Sequence, residues 1–531
     1  MSREPSIARA AGAVSVATGM SRVLGLAREM TIAALFPRPA TDAFIAAFKI
    51  PNLLRDLLAE GALSAAFVPV FSRVLEKDGR QRAFRLASSV INGLLVVTGM
   101  FALTVIVFAR FYALSVASGF AEDKLLLTAM LARVMSPFLV TVSIAAVLMG
   151  IGNVRGRFFV PALAPALFNV GVLSGGWLLA PWLERNGWPS VTGLAVGAVL
   201  GGLLQLAVQS PGVWRDGYRH RWVLDLSDPA VRQILVRLGP AAFGVAATYL
   251  NVVVDNQLAS YYGQGPVSYL FFAIRLWMLP IGLFGVAIST ANLAGVARDL
   301  ARGDRDRFRR TLATSIRLTL LLTVPAATAL IVLGRPIVRV IYEHGQFTPE
   351  ATQATAIVLA LYAVGLPGYA LVKVFVPTFY ALGDPWTPVR ISAAVVLAKI
   401  GLNFLLIWPL GYPGLALATG VAAWLNAAWT ARRLRQLGGR LVGQQLARAA
   451  AMAIVSSVLM AAATVATGRG LSWLWPADGW LAAAVILALQ IVVGLLVVAV
   501  VVRFSGLPEA TSLTRLHTAR THRTDRRDDL R

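Results

Sequence analysis

Apolar runs of about twenty residues recur along this chain from one end to the other, each bounded by basic, Gly-containing or Pro-containing breaks. A hydrocarbon core about 30 Å thick needs roughly 20 apolar residues of helix to cross it, so the repeated run points to a bundle of spanning helices. The ten-residue alternation of an outer-membrane barrel is absent from these stretches. Fourteen runs can be delimited, with approximate cores at 11–36, 43–70, 86–109, 125–151, 160–183, 190–210, 238–262, 267–296, 312–333, 354–381, 391–409, 413–431, 449–467 and 480–502. Composition agrees. Of 531 residues, 57% are hydrophobic and only 14% charged, with a mean hydropathy of +0.70, whereas a soluble domain carries about 25% charged residues. The first run lacks a small-residue cleavage site at the right distance and reads as a retained span rather than a signal peptide.

Basic residues sort by side. With the N-terminus placed in the cytoplasm, the external loops hold only Arg38, Arg110, Lys124, Arg185, Arg335, Arg339 and Arg469. The basic stretches "ARGDRDRFRR" (301–310), "ARRLRQLGGR" (431–440) and the tail 515–531 all fall on the cytoplasmic side. This is the positive-inside asymmetry, and omitting one span would scramble it. Both termini are therefore expected in the cytoplasm. The net charge of +24 follows from topology, and the basic tail suits contact with anionic phospholipid rather than nucleic acid.

The chain also resembles itself. "GLAVGAVLGGLLQLAV" (193–208) aligns with "GLALATGVAAWLNAAW" (414–429) at an offset of about 221, and "RAFRLASSVINGLLVV" (82–97) with "DRFRRTLATSIRLTLL" (306–321) at about 224. Arg55 falls opposite Arg275 at about 220. Six spans separate the copies, and an even number returns the chain to the same side, so the halves are parallel repeats. The expected architecture is an all-α polytopic membrane protein. It has a six-helix lobe at 1–212, a second at 213–434, two additional helices at 435–504 and a basic cytoplasmic tail at 505–531. Two such lobes around a shared cavity are the plan of an alternating-access transporter.

Charge inside the spans marks that cavity. On a helix, Asp42, Lys49, Asn52, Asp56 and Glu60 fall within an ~80° sector of span 2, with Arg55 beside it. In span 1, Arg22 and Glu29 share a sector, with Ser21 and Arg28 alongside. An ionised side chain at the bilayer centre costs about 3 kcal/mol even on lenient scales, so this face must look into water or a ligand. Pro51 removes a backbone donor and should kink span 2 or free a carbonyl. Part of the charge can be absorbed by internal pairs, Arg28 with Asp42 or Arg55 with Glu60. The excess of Arg22, Arg28, Lys49, Arg55 and Arg275 selects an anion, and the planar guanidinium fork suits phosphate oxygens.

Other chemistry finds no residues. There is no cysteine, the four histidines lie in loops or the tail, no Walker A motif appears, and no external loop exceeds roughly 20 residues. An enzyme is not expected, and no cofactor is.

Three stretches carry a family resemblance: "SRVLGLARE" (21–29), "TDAFIAAFKIPNLLRDLLAEGALSAAFVPV" (41–70) and "VKVFVPTFYALGDPWTPVRI" (372–391). They closely resemble the MurJ/MviN family, lipid II flippases of the multidrug/oligosaccharidyl-lipid/polysaccharide exporter superfamily, and the likeness extends over spans 1–12 at least. It implies the fourteen-span, two-lobe fold in a bacterial inner membrane. It also implies a substrate that is anionic at its diphosphate, undecaprenyl-diphosphate bearing a disaccharide–pentapeptide for the cell wall, and contact with cell-wall synthesis machinery. On the family's motifs, Ser21, Arg22 and Arg28 match in span 1, Asp42, Asn52, Arg55 and Glu60 in span 2, and Arg275 in span 8. The resemblance assigns the cavity arginines to the diphosphate and sugar, and spans 13 and 14 to a groove for the polyprenyl tail. The chain departs from the pattern at Met278, where members often carry a glutamate. A sodium site found in some members would fall on Asp255, Asn403 and Thr419, with Ile407 where an acid could stand; proton or potential coupling is the other expectation. A flippase for another polyprenyl-diphosphate glycan, such as O-antigen or capsule, fits the same physics. A cation-coupled drug exporter fits less well, because cavity bases outnumber acids.

Overall fold

The computed structural model describes residues 7–59, 62–438, 444–474 and 479–504. All regular structure among them is helical. Helices cover the described part of every apolar core: Ile7–Leu35 (span 1), Arg38–Ala59 and Ala62–Lys77 (span 2), Gly79–Val107 (span 3), Glu122–Met135 and Phe138–Val154 (span 4), and Phe159–Ser174 continuing to Arg185 (span 5). Thr192–Arg215 (span 6), Pro229–Ser260 (span 7), Pro266–Ala301 (span 8) and Arg305–Val332 (span 9) follow. The rest are Pro349–Val364 with Leu366–Ala381 (span 10), Trp386–Leu410 (span 11), Pro413–Gly438 (span 12), Gln444–Leu474 (span 13) and Trp480–Phe504 (span 14).

By length and composition, nine helices among the described residues can cross a membrane, or ten if the pair bent by 43° in span 10 counts as one. The described parts of spans 1, 2, 7 and 12 are not among these. In span 2 the stripe itself is the reason: Lys49, Arg55 and Asp56 lower its hydropathy.

Contacts divide the chain into two compact units, Met1–Ser268 with Tyr342–Thr348, and Tyr269–Ile341 with Pro349–Arg531. Span 7, which the sequence repeat groups with the later half, packs in unit 1 on Ala62–Lys77 and on the short helix Ala109–Ala117. Repeats report similarity of sequence, not where a helix buries its side chains.

In unit 1, spans 5 and 6 approach closely because glycines face one another. Gly193, Gly197 and Gly201 recur every four residues, on one face of span 6, opposite Gly171 and Gly175. A Cβ at Gly197 would lie 2.6 Å from the Gly171 carbonyl oxygen, so no side chain fits. Leu63, Phe67, Phe71, Phe84 and Ile151 belong to one apolar cluster of this unit. Pro51 lies inside the helix Arg38–Ala59. It has no N–H for the carbonyl four residues back, and that carbonyl, on Ala47, instead accepts from the buried Tyr112 hydroxyl at 2.7 Å.

In unit 2, Val296, Phe308, Leu312, Val374, Phe375 and Phe379 pack into one buried apolar cluster. Span 13 packs along span 9, where Ala449 and Ala453 meet Leu321, and span 14 packs against span 13.

Candidate functional site

Unit 1 concentrates its intramembrane charge around one aromatic ring. Phe168 of span 5 is 2% exposed and stacks on Phe48 of span 2, centroids 5.6 Å apart, with Phe138 at 5.2 Å on a tilt. Two cations from different helices come to this ring: Arg28 of span 1 at 5.6 Å and Arg55 of span 2 at 5.5 Å. Each cation–π contact is worth about 0.5–2 kcal/mol, and the ring sets where both guanidinium groups stand.

The next residue in span 5 orients the first of them. Arg28 Nη1 donates to Asn169 Oδ1 at 3.0 Å, while Asn169 Nδ2 donates to the Ser21 carbonyl at 3.1 Å. One amide thus ties the arginine to its own helix two turns earlier. Arg28 Nη2 also meets Glu29 at 3.2 Å. Two guanidinium groups thus stand within 6 Å of one ring, with the Glu29 carboxylate beside the first of them. Their forks present several N–H donors, which is what a doubly charged phosphate group requires.

The other expected site residues are distributed as follows. Ser21 is half-buried and Arg22 exposed. Lys49 is half-buried, and Asn52 Nδ2 donates to the Tyr249 hydroxyl of span 7 at 3.2 Å. Glu60, and with it the expected Arg55–Glu60 pair, lies outside the described residues. Arg275 belongs to unit 2, where its guanidinium sits 5.0 Å from the Phe271 ring. Met278 in the same helix is exposed.

Asp42 requires a correction. The stripe makes it a ligand-facing acid, yet it is 0% exposed and fully engaged inside unit 1. Lys124 Nζ donates to it at 2.6 Å, Gly265 N at 2.7 Å and Ser268 N at 2.8 Å, and the Ser268 hydroxyl donates as well. The carboxylate therefore neutralises a buried lysine and caps the N-terminus of span 8, where orphan N–H groups favour an anion. Its partner is Lys124, not Arg28.

Among the described residues no three or more His, Asp or Glu gather as a metal would require. Asp255 belongs to unit 1 and Asn403 and Thr419 to unit 2, and the Thr419 hydroxyl donates to its own helix at Leu415, 3.0 Å away. The three residues named for a sodium site therefore do not share a unit.

Phe168, Asn169, Tyr249 and Lys124 are missing from the motif-based site. Asn169 had a signal, a lone amide in the apolar run "PALAPALFNVGVL". Phe168 had none, being one aromatic among many.

Unit 2 holds a different feature, an apolar groove of about 690 Å³. Val324, Phe375, Trp424, Leu446 and Ile454, from spans 9, 10, 12 and 13, line it together with Arg435.

A family model described as lipid II flippase MurJ matches residues 32–476. A relative in Vibrio cholerae serotype O1, named probable lipid II flippase MurJ, is 36% identical over 80% of this chain and 82% of its own length. A solved structure titled lipid II flippase MurJ, inward closed conformation, superposes with a TM-score of 0.76 at 26% identity, covering 92% of this chain and 98% of that one. An inward-facing multidrug resistance MATE transporter matches at a TM-score of 0.65 and 15% identity, over 78% of this chain and 95% of its own, a likeness of fold alone.

Proposed function

The chain belongs to the lipid II flippase MurJ family, and on that premise we propose that it carries lipid II from the cytoplasmic to the outer leaflet of the bacterial inner membrane. Arg28 and Arg55 hold the diphosphate, and the observation that carries this reading is their convergence on Phe168 with Arg28 oriented by Asn169. Ser21, Arg22, Lys49 and Asn52 belong to the same substrate-facing surface, the sequence stripe adds Glu60 to the substrate-binding set, and Arg275 supplies the corresponding cation of unit 2. Translocation proceeds by alternating access without chemical change of the lipid, so the protein is a transporter and not an enzyme.

The polyprenyl tail takes the apolar groove along span 13, whose Val324, Phe375, Leu446 and Ile454 offer it surroundings as apolar as the bilayer hydrocarbon it leaves. Both termini lie in the cytoplasm, phospholipids surround the spans, and the cell-wall synthesis machinery takes the product. A sodium or proton gradient, or the membrane potential, drives the cycle.

The test is depletion in the host. Loss of the protein should leave lipid II accumulating on the cytoplasmic leaflet, and the wild-type gene should restore its appearance outside. Unchanged lipid II distribution with halted export of another polyprenyl-diphosphate glycan would reassign the substrate.

A further inference from the structure

Beside Arg55, spans 4, 5 and 6 of unit 1 enclose a cavity of about 40 Å³ that the motif-based site does not include. By volume it admits about three water-sized groups. Ala145, Met149 and Ala164 give it an apolar side, and Phe168 and Arg55 also line it. Gln205 and Gln209 complete the wall. The two glutamines are one turn apart on span 6 and so share a face, and they are only 5% and 4% exposed.

Their hydrogen bonding is incomplete. Gln209 Nε2 donates to the Gln205 backbone carbonyl at 3.0 Å, which fixes that amide and leaves its Oε1 over. Gln209 Oε1 and Gln205 Nε2 are buried and have no partner among the described residues. Buried polar atoms are nearly always paired, and helix packing alone is better served by apolar side chains of the same size. One leftover acceptor and one leftover donor on one cavity specify their complement. A secondary amide fits: its carbonyl accepts from Gln205 Nε2, its N–H donates to Gln209 Oε1, and a methyl-sized remainder meets Ala145 and Ala164. A fully ionised phosphate has no proton to give Gln209, and a metal cation has no use for the Gln205 donor.

We propose that this cavity is an amide-recognition subsite, reading a secondary amide of the substrate while Arg55 beside it holds the diphosphate. The proposal rests on the transport function above. The amide comes either from an acetamido group on a sugar or from the peptide stem.

Affinity of the full-length protein in lipid nanodiscs tests it, with undecaprenyl diphosphate and lipid II as probes. The double variant Gln205→Leu, Gln209→Leu should lose about tenfold or more in affinity for lipid II. It should bind undecaprenyl diphosphate as the wild type does, and melt at the same or a higher temperature. If wild type shows the same loss toward lipid II with N-deacetylated sugars, the sugar is the source; if toward lipid II without peptide, the stem is. Wild-type affinity of the Leu variant for lipid II would overturn the proposal, leaving a cavity that holds water. Equal loss for both lipids would overturn it too, making the glutamines supports of the lobe. Failure of the transport reading looks different, because wild type would then bind neither lipid.

Discussion

Asn169 holds Arg28 by a 3.0 Å hydrogen bond from Nη1 to Oδ1, and the same amide is fixed in turn by the Ser21 carbonyl. A hydrogen bond to a charged group is worth about 1.5–3 kcal/mol, and here it sets the direction of a fork on which recognition depends. Asn169→Leu should therefore weaken lipid II binding by about tenfold or more, with protein levels in the membrane close to normal. Asn169→Asp should be no better, since a carboxylate beside Arg28 competes with the diphosphate for the same donors. Binding measured beside membrane level distinguishes both from misfolding.

The Asp42–Lys124 pair behaves in the opposite way. Both groups are buried, at 0% and 8% side-chain exposure, so removing one strands the other at a cost of about 3–5 kcal/mol. Asp42→Asn should deplete the protein from the membrane or lower its melting temperature sharply. Adding Lys124→Met should recover much of that loss. A stable Asp42→Asn protein with lost binding would return Asp42 to the substrate-facing surface.

Spans 5 and 6 offer a test of packing without charge. Gly197→Val drives a branched side chain into the backbone of span 5, where even a Cβ would lie 2.6 Å from the Gly171 oxygen. The expected result is a large fall in folded protein, read by detergent-solubilised yield and melting temperature. Gly401→Ala, at a glycine where an added Cβ would meet nothing within 4 Å, should be neutral or slightly stabilising by about 0.5–1 kcal/mol.

The groove in unit 2 predicts a functional defect without a folding defect. Its wall is apolar at Leu446 and Ile454 of span 13. Ile454→Gln, in a side chain already 59% exposed, should insert normally yet slow lipid II export in a complementation assay. Normal export would show that the tail travels elsewhere.

Much of this was legible beforehand because charge in an apolar sequence is conspicuous. Arg28 and Arg55 stood out from spans 1 and 2 by cost alone. Asp42 stood out equally, yet its role depends on Lys124, Gly265 and Ser268, which are distant in sequence and which no helical wheel brings together. Phe168 was invisible for the opposite reason: an aromatic in an apolar run costs nothing to explain. The place of span 7 in unit 1 was also illegible, because a repeat offset carries no information about packing.

Binding of undecaprenyl diphosphate, the substrate reduced to its tail and charge, bears most directly on the arginine pair. The double variant Arg28→Ala, Arg55→Ala should lose that binding while remaining folded, and Arg28→Lys, Arg55→Lys should recover part of it, keeping charge but not the fork. Wild-type affinity in the double Ala variant, with normal protein levels, would contradict the assignment of these residues to the diphosphate.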